Sequence, residues 1–133
     1  MQRSLFMDIV EGKLSSYKVY EDDLFLAFLD IFPRSKGHTL VIPKKQYRWV
    51  YDVPQPGKYW EVVTKISKAM QKTLKPTWIN YATSGLEVNH AHIHILPRYT
   101  PIDKPAPIFP KEVLKFSGEQ YQEIALQITY GLE

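Results

Sequence analysis

The sequence predicts an α+β protein: one antiparallel sheet of about five strands, a long central helix, a short N-terminal helix and a C-terminal helix. Three observations carry that expectation. Strand-like segments are short and lack the regular strand–helix–strand alternation of a parallel sheet. Two longer segments repeat apolar residues at three- and four-residue steps, the period of a helix. Residues 90–94 read His90-Ala91-His92-Ile93-His94, which has the two-residue period of a strand.

Each element has its own signal. Residues 4–12, Ser4-Leu5-Phe6-Met7-Asp8-Ile9-Val10-Glu11-Gly12, read as a short helix ended by glycine. Residues 17–20 and 24–31 read as two strands across a tight turn at Glu21-Asp22-Asp23. Residues 33–37 break the pattern, and Thr39-Leu40-Val41-Ile42 resumes it as a strand stopped at Pro43. A loop marked by Pro54, Pro56 and Gly57 leads to the clearest helix, residues 58–74. There Tyr59, Val62, Val63, Ile66, Ala69, Met70 and Leu74 form one stripe, and Pro76 stops the helix. Residues 78–82 read as a strand, Thr83-Ser84-Gly85 as a turn, and residues 87–96 as the histidine-bearing strand. Five prolines from Pro97 to Pro110 make the next stretch extended and irregular. Ser117 caps a last helix with Tyr121, Ile124, Ala125 and Ile128 as its stripe and Gly131 as its end.

On a strand, His90, His92 and His94 share one face while Ala91 and Ile93 point into apolar packing. Three readings compete for the imidazoles. They could be an exposed, histidine-rich face, or a metal site, or a row of groups along an anionic substrate such as a chain of phosphates. At ~3.3 Å per residue the outer two lie roughly 13 Å apart, too far for metal–nitrogen bonds of ~2 Å to gather both. Geometry favours the phosphate reading. Chemistry agrees: an imidazole of ordinary pKa ~6.5 is mostly neutral at pH 7 and can be nucleophile, base or donor.

Composition bounds the alternatives. The 133 residues fit one domain spanning 1–133, and 44% hydrophobic residues argue for a packed core. Cysteine is absent, so disulfides and thiolate metal sites are excluded. No apolar run approaches the ~20 residues of a membrane helix, and residues 1–7 do not read as a secretory signal. A cytoplasmic protein without membrane contact is the expectation. The net charge of +3 is mild. Arg34, Lys36, Lys44, Lys45 and Arg48 cluster around the fourth histidine, His38, either as a solvated face or as a field for a phosphorylated ligand. Nothing resembles a module that reads nucleic-acid sequence.

His90-Ala91-His92-Ile93-His94-Ile95-Leu96, continued by Pro97-Arg98, resembles the signature of the histidine triad (HIT) family of nucleotide hydrolases and transferases. Ala27-Phe28-Leu29-Asp30-Ile31 and Lys36-Gly37-His38-Thr39-Leu40-Val41-Ile42-Pro43-Lys44 resemble that family's nucleoside-binding strand and loop. The likeness covers roughly residues 4–130 and implies a HIT-like domain. It further implies that His92 attacks an α-phosphorus to form a nucleotidyl-histidine. His94 and His38 would contact phosphate oxygens, and His90 would support the nucleophile and the leaving-group side. Asp30 would accept ribose hydroxyls, while Phe6, Ile9, Phe28 and Ile31 would enclose a base, expected to be a purine. Asn80, Gly85 and Glu87 complete the substrate side. Read without the resemblance, Phe6, Ile9, Phe28 and Ile31 are core residues, Asp30 is a turn cap and His38 is a satisfied buried histidine. Arg98 reads as a surface or sheet-edge charge with no catalytic role.

The resemblance also marks departures. Many members have two cysteines near the N-terminus that bind structural zinc, and often a histidine where this chain has Gln46. Here Ser4 and Met7 stand in the cysteine positions. No metal and no cofactor is therefore expected, with packing around Phe6 replacing the ion. The usual Gly-Gln before the triad is Gly85-Leu86-Glu87, and Asn80 lies one position from the family's asparagine. These changes bear on substrate preference. The reaction implied is cleavage of a phosphoanhydride or phosphoramidate bond by a homodimer, formed through the helix at residues 58–74 with Trp60 and Trp78 nearby. The rivals are a catalytically weak nucleotide-binding sensor and a metal-dependent hydrolase using His90 or His92 with His38.

Overall fold

In the computed structural model, which describes residues 1–133, the chain begins with α1 (Leu5–Val10), β1 (Lys18–Glu21), β2 (Phe25–Leu29) and β3 (Thr39–Pro43). A single 3-10 turn (Val50–Asp52) precedes α2 (Pro56–Thr73), β4 (Trp78–Ala82), β5 (Ile93–Arg98) and α3 (Gly118–Gly131). The strands form one sheet in the order β1-β2-β3-β5-β4, and every neighbouring pair is antiparallel. The expected α+β class, strand number and three helices are borne out.

Alternation along the central strands sorts the core into two layers. Phe25, Ala27 and Leu29 of β2 join Val41 of β3 and Ile93 and Ile95 of β5 on one face, where α2 and α3 cover them. Leu26 and Phe28 of β2 with Leu40 and Ile42 of β3 face the other way, under Phe6 and Ile9 of α1. Burying a side chain of this size stabilises the fold by roughly 1.5–3 kcal/mol. With only six residues, α1 covers part of its face. The register places Phe28 beside Leu40 and Leu40 beside His94, so the covered hydrophobic row runs straight into the histidines.

Helix ends follow local chemistry. The Ser4 hydroxyl accepts the Met7 N–H as the N-cap of α1, and Ser117 with Gln120 forms a full capping box on α3. α2 starts with Pro56 in its first turn and is closed two residues past its end by Lys75, whose φ of 53° is left-handed, just before Pro76. The stripe on α2 is spent inside the chain: Tyr59, Val62, Val63, Ile66, Ala69 and Met70 are all buried against the sheet and α3. Gly131 is the last residue of α3, as expected, and it has a second role: a Cβ there would stand 2.6 Å from the Ala69 carbonyl oxygen, so glycine permits the close crossing of α2 and α3.

The largest correction concerns the histidine strand. β5 starts at Ile93 rather than near residue 87, and residues 83–92 belong to no helix or strand. His90 and His92 therefore precede the strand. The alternation of sides survives, because Ala91 packs with Ile93 and Ile95 in the layer under α2 and α3. No helix is long and apolar enough to cross a membrane.

Candidate functional site

His38, His90, His92 and His94 gather on the α1 side of the sheet. The rings of His92 and His94 stand 4.9 Å apart between centroids, and His38 lies 5.1 Å from His94. Phe6 meets His90 and His92 edge-on at 5.7 and 5.4 Å, and meets Phe28 at 5.6 Å. His38 is brought in by a tight turn: Gly37 has φ +91°, and a Cβ there would meet Leu74 Cδ1 at 2.6 Å.

Hydrogen-bond partners fix where every ring proton sits. A carbonyl only accepts, so a ring nitrogen facing one carries the proton; a backbone N–H only donates, so the nitrogen facing it carries the lone pair. His92 Nδ1 donates to the His90 carbonyl at 2.7 Å, which leaves the lone pair on Nε2. His38 Nδ1 accepts the Arg34 backbone N–H at 3.0 Å, so His38 Nε2–H donates to His94 Nδ1 at 2.9 Å. His94 then carries its proton on Nε2. His90 Nε2–H donates to the Pro43 carbonyl, and its Nδ1 accepts the Ser4 hydroxyl, both at 2.7 Å. Nε2 of His92 and Nε2 of His94 alone have no protein partner, and neither is sealed from solvent. One is a free lone pair and the other a free N–H.

Electrostatics hold the supporting rings neutral. Burial, reinforced by Arg34, pushes His38 down to about 3; burial, reinforced by His38, does the same to His94. Burial also lowers His90, against the Pro43 carbonyl, which favours the proton. The 3.5 Å approach of His38 Nε2 to Asp30 Oδ2 is therefore a contact with a neutral ring rather than an ion pair.

The other expected site residues fall into two groups. Phe6, Ile9 and Phe28 are buried together below the histidines. Asp30 is half-buried; its Oδ1 accepts the Phe32 N–H, which makes it a turn cap with Oδ2 toward His38. Ile31 is 63% exposed. Gly85 is buried at φ +85° with its carbonyl accepting from Arg48, while Glu87 is exposed. Asn80 has both ends of its amide engaged: Oδ1 accepts from Arg98 and Nδ2 donates to the Ile108 carbonyl. The basic cluster disperses: Lys44 pairs with Glu21, Arg48 stacks on Trp49, and Arg34 reaches the proline-rich stretch.

Sequence reasoning took the proline-rich stretch as extended and on the leaving-group side, but missed its contacts with the histidines and its anchors. Residues 107–110 lie as a strap over the histidine end of the sheet, where Phe109 meets His94 at 4.9 Å and His38 at 5.7 Å. Three donors pin it: Arg98 to the Pro107 carbonyl, Asn80 to that of Ile108 and Arg34 to that of Pro110, at 2.7–2.9 Å. Arg98 is thus no surface charge. It is 5% exposed, lies over Trp78 and anchors the strap. Nothing in the spacing of the prolines signals which carbonyls would be met.

A family model described as the HIT domain matches residues 11–101. The chain belongs to the histidine triad (HIT) family. This HIT protein is 35% identical to Protein hit of Bacillus subtilis, over 98% of this chain and 95% of the other. It is 34% identical to the adenylylsulfatase HINT3 of Arabidopsis thaliana, over 71% of this chain and 51% of that one. With the adenosine 5'-monophosphoramidase HNT1 of Saccharomyces cerevisiae it shares 30% identity, over 71% and 61%. Among solved structures, a hypothetical histidine triad nucleotide-binding protein from Sulfolobus tokodaii superposes with a TM-score of 0.82 at 28% identity, covering 96% of this chain and 90% of that one. A zinc-bound histidine triad family protein from Mycobacterium smegmatis superposes at 0.75 with 29% identity, covering 96% and 91%.

Two places in this HIT protein invite a metal, and neither donor set fits one. Asp30, His38 and His94 offer ligand atoms within 4.8 Å of one another. But the Arg34 N–H holds the lone pair of His38 on Nδ1, so its Nε2 carries a proton where a metal ligand needs a lone pair. At the N-terminus, Ser4, Gln46 and His90 provide one imidazole and neutral oxygens, already hydrogen-bonded to each other and their neighbours. Zinc favours thiolates and several imidazoles. Hydrogen bonds, together with the packing of Phe6, tie down this region.

Proposed function

We propose that this HIT protein cleaves a phosphoanhydride or phosphoramidate bond at the α-phosphorus of a purine nucleotide, through a nucleotidyl intermediate on His92. One observation carries the reading: the free lone pair of His92 Nε2 beside the free N–H of His94 Nε2, each fixed by a hydrogen bond behind it. His92 Nε2 attacks phosphorus, and the bond to the leaving group breaks with its electron pair on that group, which takes a proton from solvent; the attacking water returns a proton to solvent in the second step. The charge on the His92 ring is balanced by the His90 carbonyl at Nδ1–H. His94 Nε2–H donates to a phosphate oxygen, and His38 holds His94 in that tautomer. Water then attacks phosphorus, the P–N bond breaks, and the electron pair returns to Nε2. The sum is nucleotidyl–X plus water giving nucleoside monophosphate plus HX; another acceptor in place of water makes the reaction a transfer.

The names of two relatives, an adenylylsulfatase and an adenosine 5'-monophosphoramidase, support an adenosine nucleotide and these two bond classes. Phe6, Ile9, Phe28 and Ile31 would bound the base and the free oxygen of Asp30 would face the ribose. Gly85 and Glu87 would lie on the substrate side. His90, fully buried with both nitrogens engaged, supports His92 without touching the leaving group. Asn80 acts through the strap.

The competing reading is a sensor that binds nucleotide without turning it over, and the exposed Leu86-Glu87 in place of the family's pattern favours it. Incubation with an adenosine phosphoramidate and with a diadenosine polyphosphate separates the two. Release of AMP from either supports the hydrolase; tight binding without release supports the sensor. The single domain is proposed to act as a cytoplasmic homodimer across the outer edge of β4, where Trp60 and Tyr81 are 40% and 39% exposed. Sedimentation at twice the 15.6 kDa chain mass is expected. A particle of one chain mass at micromolar concentration would contradict it.

A further inference from the structure

The segment that carries His92 is held from outside the sheet. It has no ladder of its own over residues 83–92; one backbone bond, from the Ala91 N–H to the Tyr47 carbonyl, ties it to the loop after β3, and side-chain bonds supply the rest. Thr83 Oγ1–H donates to the His92 carbonyl at 2.7 Å. Arg48 holds the Gly85 carbonyl and the Pro43 carbonyl takes the His90 ring, while a further set of ties leads to the N-terminus. Asn89 Nδ2 donates to the Gln2 carbonyl at 2.6 Å, and Gln46 Nε2 bridges the carbonyls of Gln2 and Asn89. Ser4 N–H donates to Gln46 Oε1 at 3.0 Å. Ser4 itself is 4% exposed, and its hydroxyl accepts the Met7 N–H, which leaves its proton for His90 Nδ1 at 2.7 Å.

We infer that Ser4 is a positioning residue for His92, acting through His90. The His90 ring has two anchors at opposite corners, the Ser4 hydroxyl and the Pro43 carbonyl. Two anchors fix the ring plane; with one alone it can pivot, and the His90–Ala91 peptide is then held only by the Ala91 N–H bond to the Tyr47 carbonyl. That backbone includes the His90 carbonyl, the group that keeps the proton on His92 Nδ1 and the lone pair on Nε2. A helix cap on α1 is thereby coupled to the orientation of the proposed nucleophile. Phe6, two residues on, adds a second link by packing edge-on against His92. The effect on rate rests on the proposed role of His92, whereas the ring geometry stands apart from it.

The test compares Ser4→Ala and Ser4→Thr in the full chain, with nitrogen-15 in the histidine rings and steady-state kinetics on an adenosine phosphoramidate. Loss of the hydroxyl in Ser4→Ala should shift the ring signals of both His90 and His92. It should lower kcat by about 10- to 100-fold, the cost of a misplaced reacting group, with KM changing less than about threefold. Ser4→Thr, which keeps the hydroxyl, should restore both. Unchanged His92 signals and kcat in Ser4→Ala, or equal losses in the two variants, would overturn the inference. Should Ser4→Ala fail to fold, the unmodified protein decides: the proton of the His90 ring belongs on Nε2, and finding it on Nδ1 removes the bond from Ser4. A protein that turns over no nucleotide yet shows the expected ring signals would refute the proposed function and leave the positioning intact.

Discussion

The carbonyl oxygen of His90 stands 2.7 Å from Nδ1 of His92, and this contact decides which nitrogen of the central imidazole is free. A backbone acceptor at Nδ1 leaves Nε2 as the only lone pair. It also places a partial negative charge where the ring becomes cationic once Nε2 forms a bond. The same residue that is sealed in the core by its side chain thus works on its neighbour by its main chain.

Replacing His92 by Ala removes that lone pair, along with the ring's edge-on contact with Phe6 and its bond to the His90 carbonyl. Turnover of an adenosine phosphoramidate should fall by at least ~10³-fold, the loss expected when a covalent route disappears. Nucleotide affinity, measured by calorimetry, should stay close to that of the unmodified protein. Near-normal turnover in this variant would exclude a covalent route.

His38 acts one bond further back. Its Nε2–H is the donor that keeps the proton of His94 on the outward nitrogen. His38→Ala should therefore lower kcat by ~10²-fold, the low end for a supporting proton-transfer group, and should leave adduct formation on His92 detectable. A larger loss than that of His92→Ala would reverse the two roles.

Acid should destabilise the fold before any carboxylate titrates. His38 and His94 are held down to about 3 by burial, whereas in the unfolded chain they protonate near the ordinary ~6.5. Below that pH the unfolded state binds more protons, so stability falls as pH falls toward the folded values. Each such ring contributes a slope of about 1.4 kcal/mol per pH unit. Denaturant midpoints between pH 6.5 and 5 should drop steeply, and His38→Asn should remove one ring's share of the slope. A slope unchanged in His38→Asn would mean that ring is charged in the fold.

The strap over the histidines depends on Arg98. Its guanidinium donates to the Pro107 carbonyl and to Asn80, whose own amide holds Ile108. Arg98→Met keeps the volume over Trp78 but loses both bonds, at a cost of roughly 2–3 kcal/mol for a charged donor. Limited proteolysis should then cut within residues 99–116 earlier than in the unmodified chain. Equal protection in both would show that Phe109, Arg34 and Asn80 hold the strap without Arg98.

What the sequence made legible was periodic or local. The stripe from Tyr59 to Met70 marked α2, β4 was read at residues 78–82 as observed, and Ser117 sits at the cap expected of it, whereas Ser4, read as part of the first helix, is its N-cap. The triad's shared side was legible as well, although β5 starts three residues after His90. Alternation showed the pattern but not the ladder, because hydrogen bonding to a neighbour is not encoded in the spacing. Gly131 was read correctly as the end of α3, but sequence does not show the Ala69 backbone pressing against it. Arg98, Phe109 and the link from Ser4 to His90 were invisible for one reason. Each rests on a contact that no local period encodes, from nine positions for Arg98 and Pro107 to 86 for Ser4 and His90, and only the folded sheet brings the partners together.

The central claim is that phosphorus becomes bonded to one particular ring nitrogen. Quenching the protein in acid-free denaturant during turnover of an adenosine phosphoramidate, followed by peptide mass spectrometry, tests it directly. The account expects a nucleotide monophosphate adduct on the peptide carrying residues 90–94, located on His92 and absent from His92→Ala. Active protein that carries no adduct there, or carries it on His94 or His38, would contradict it.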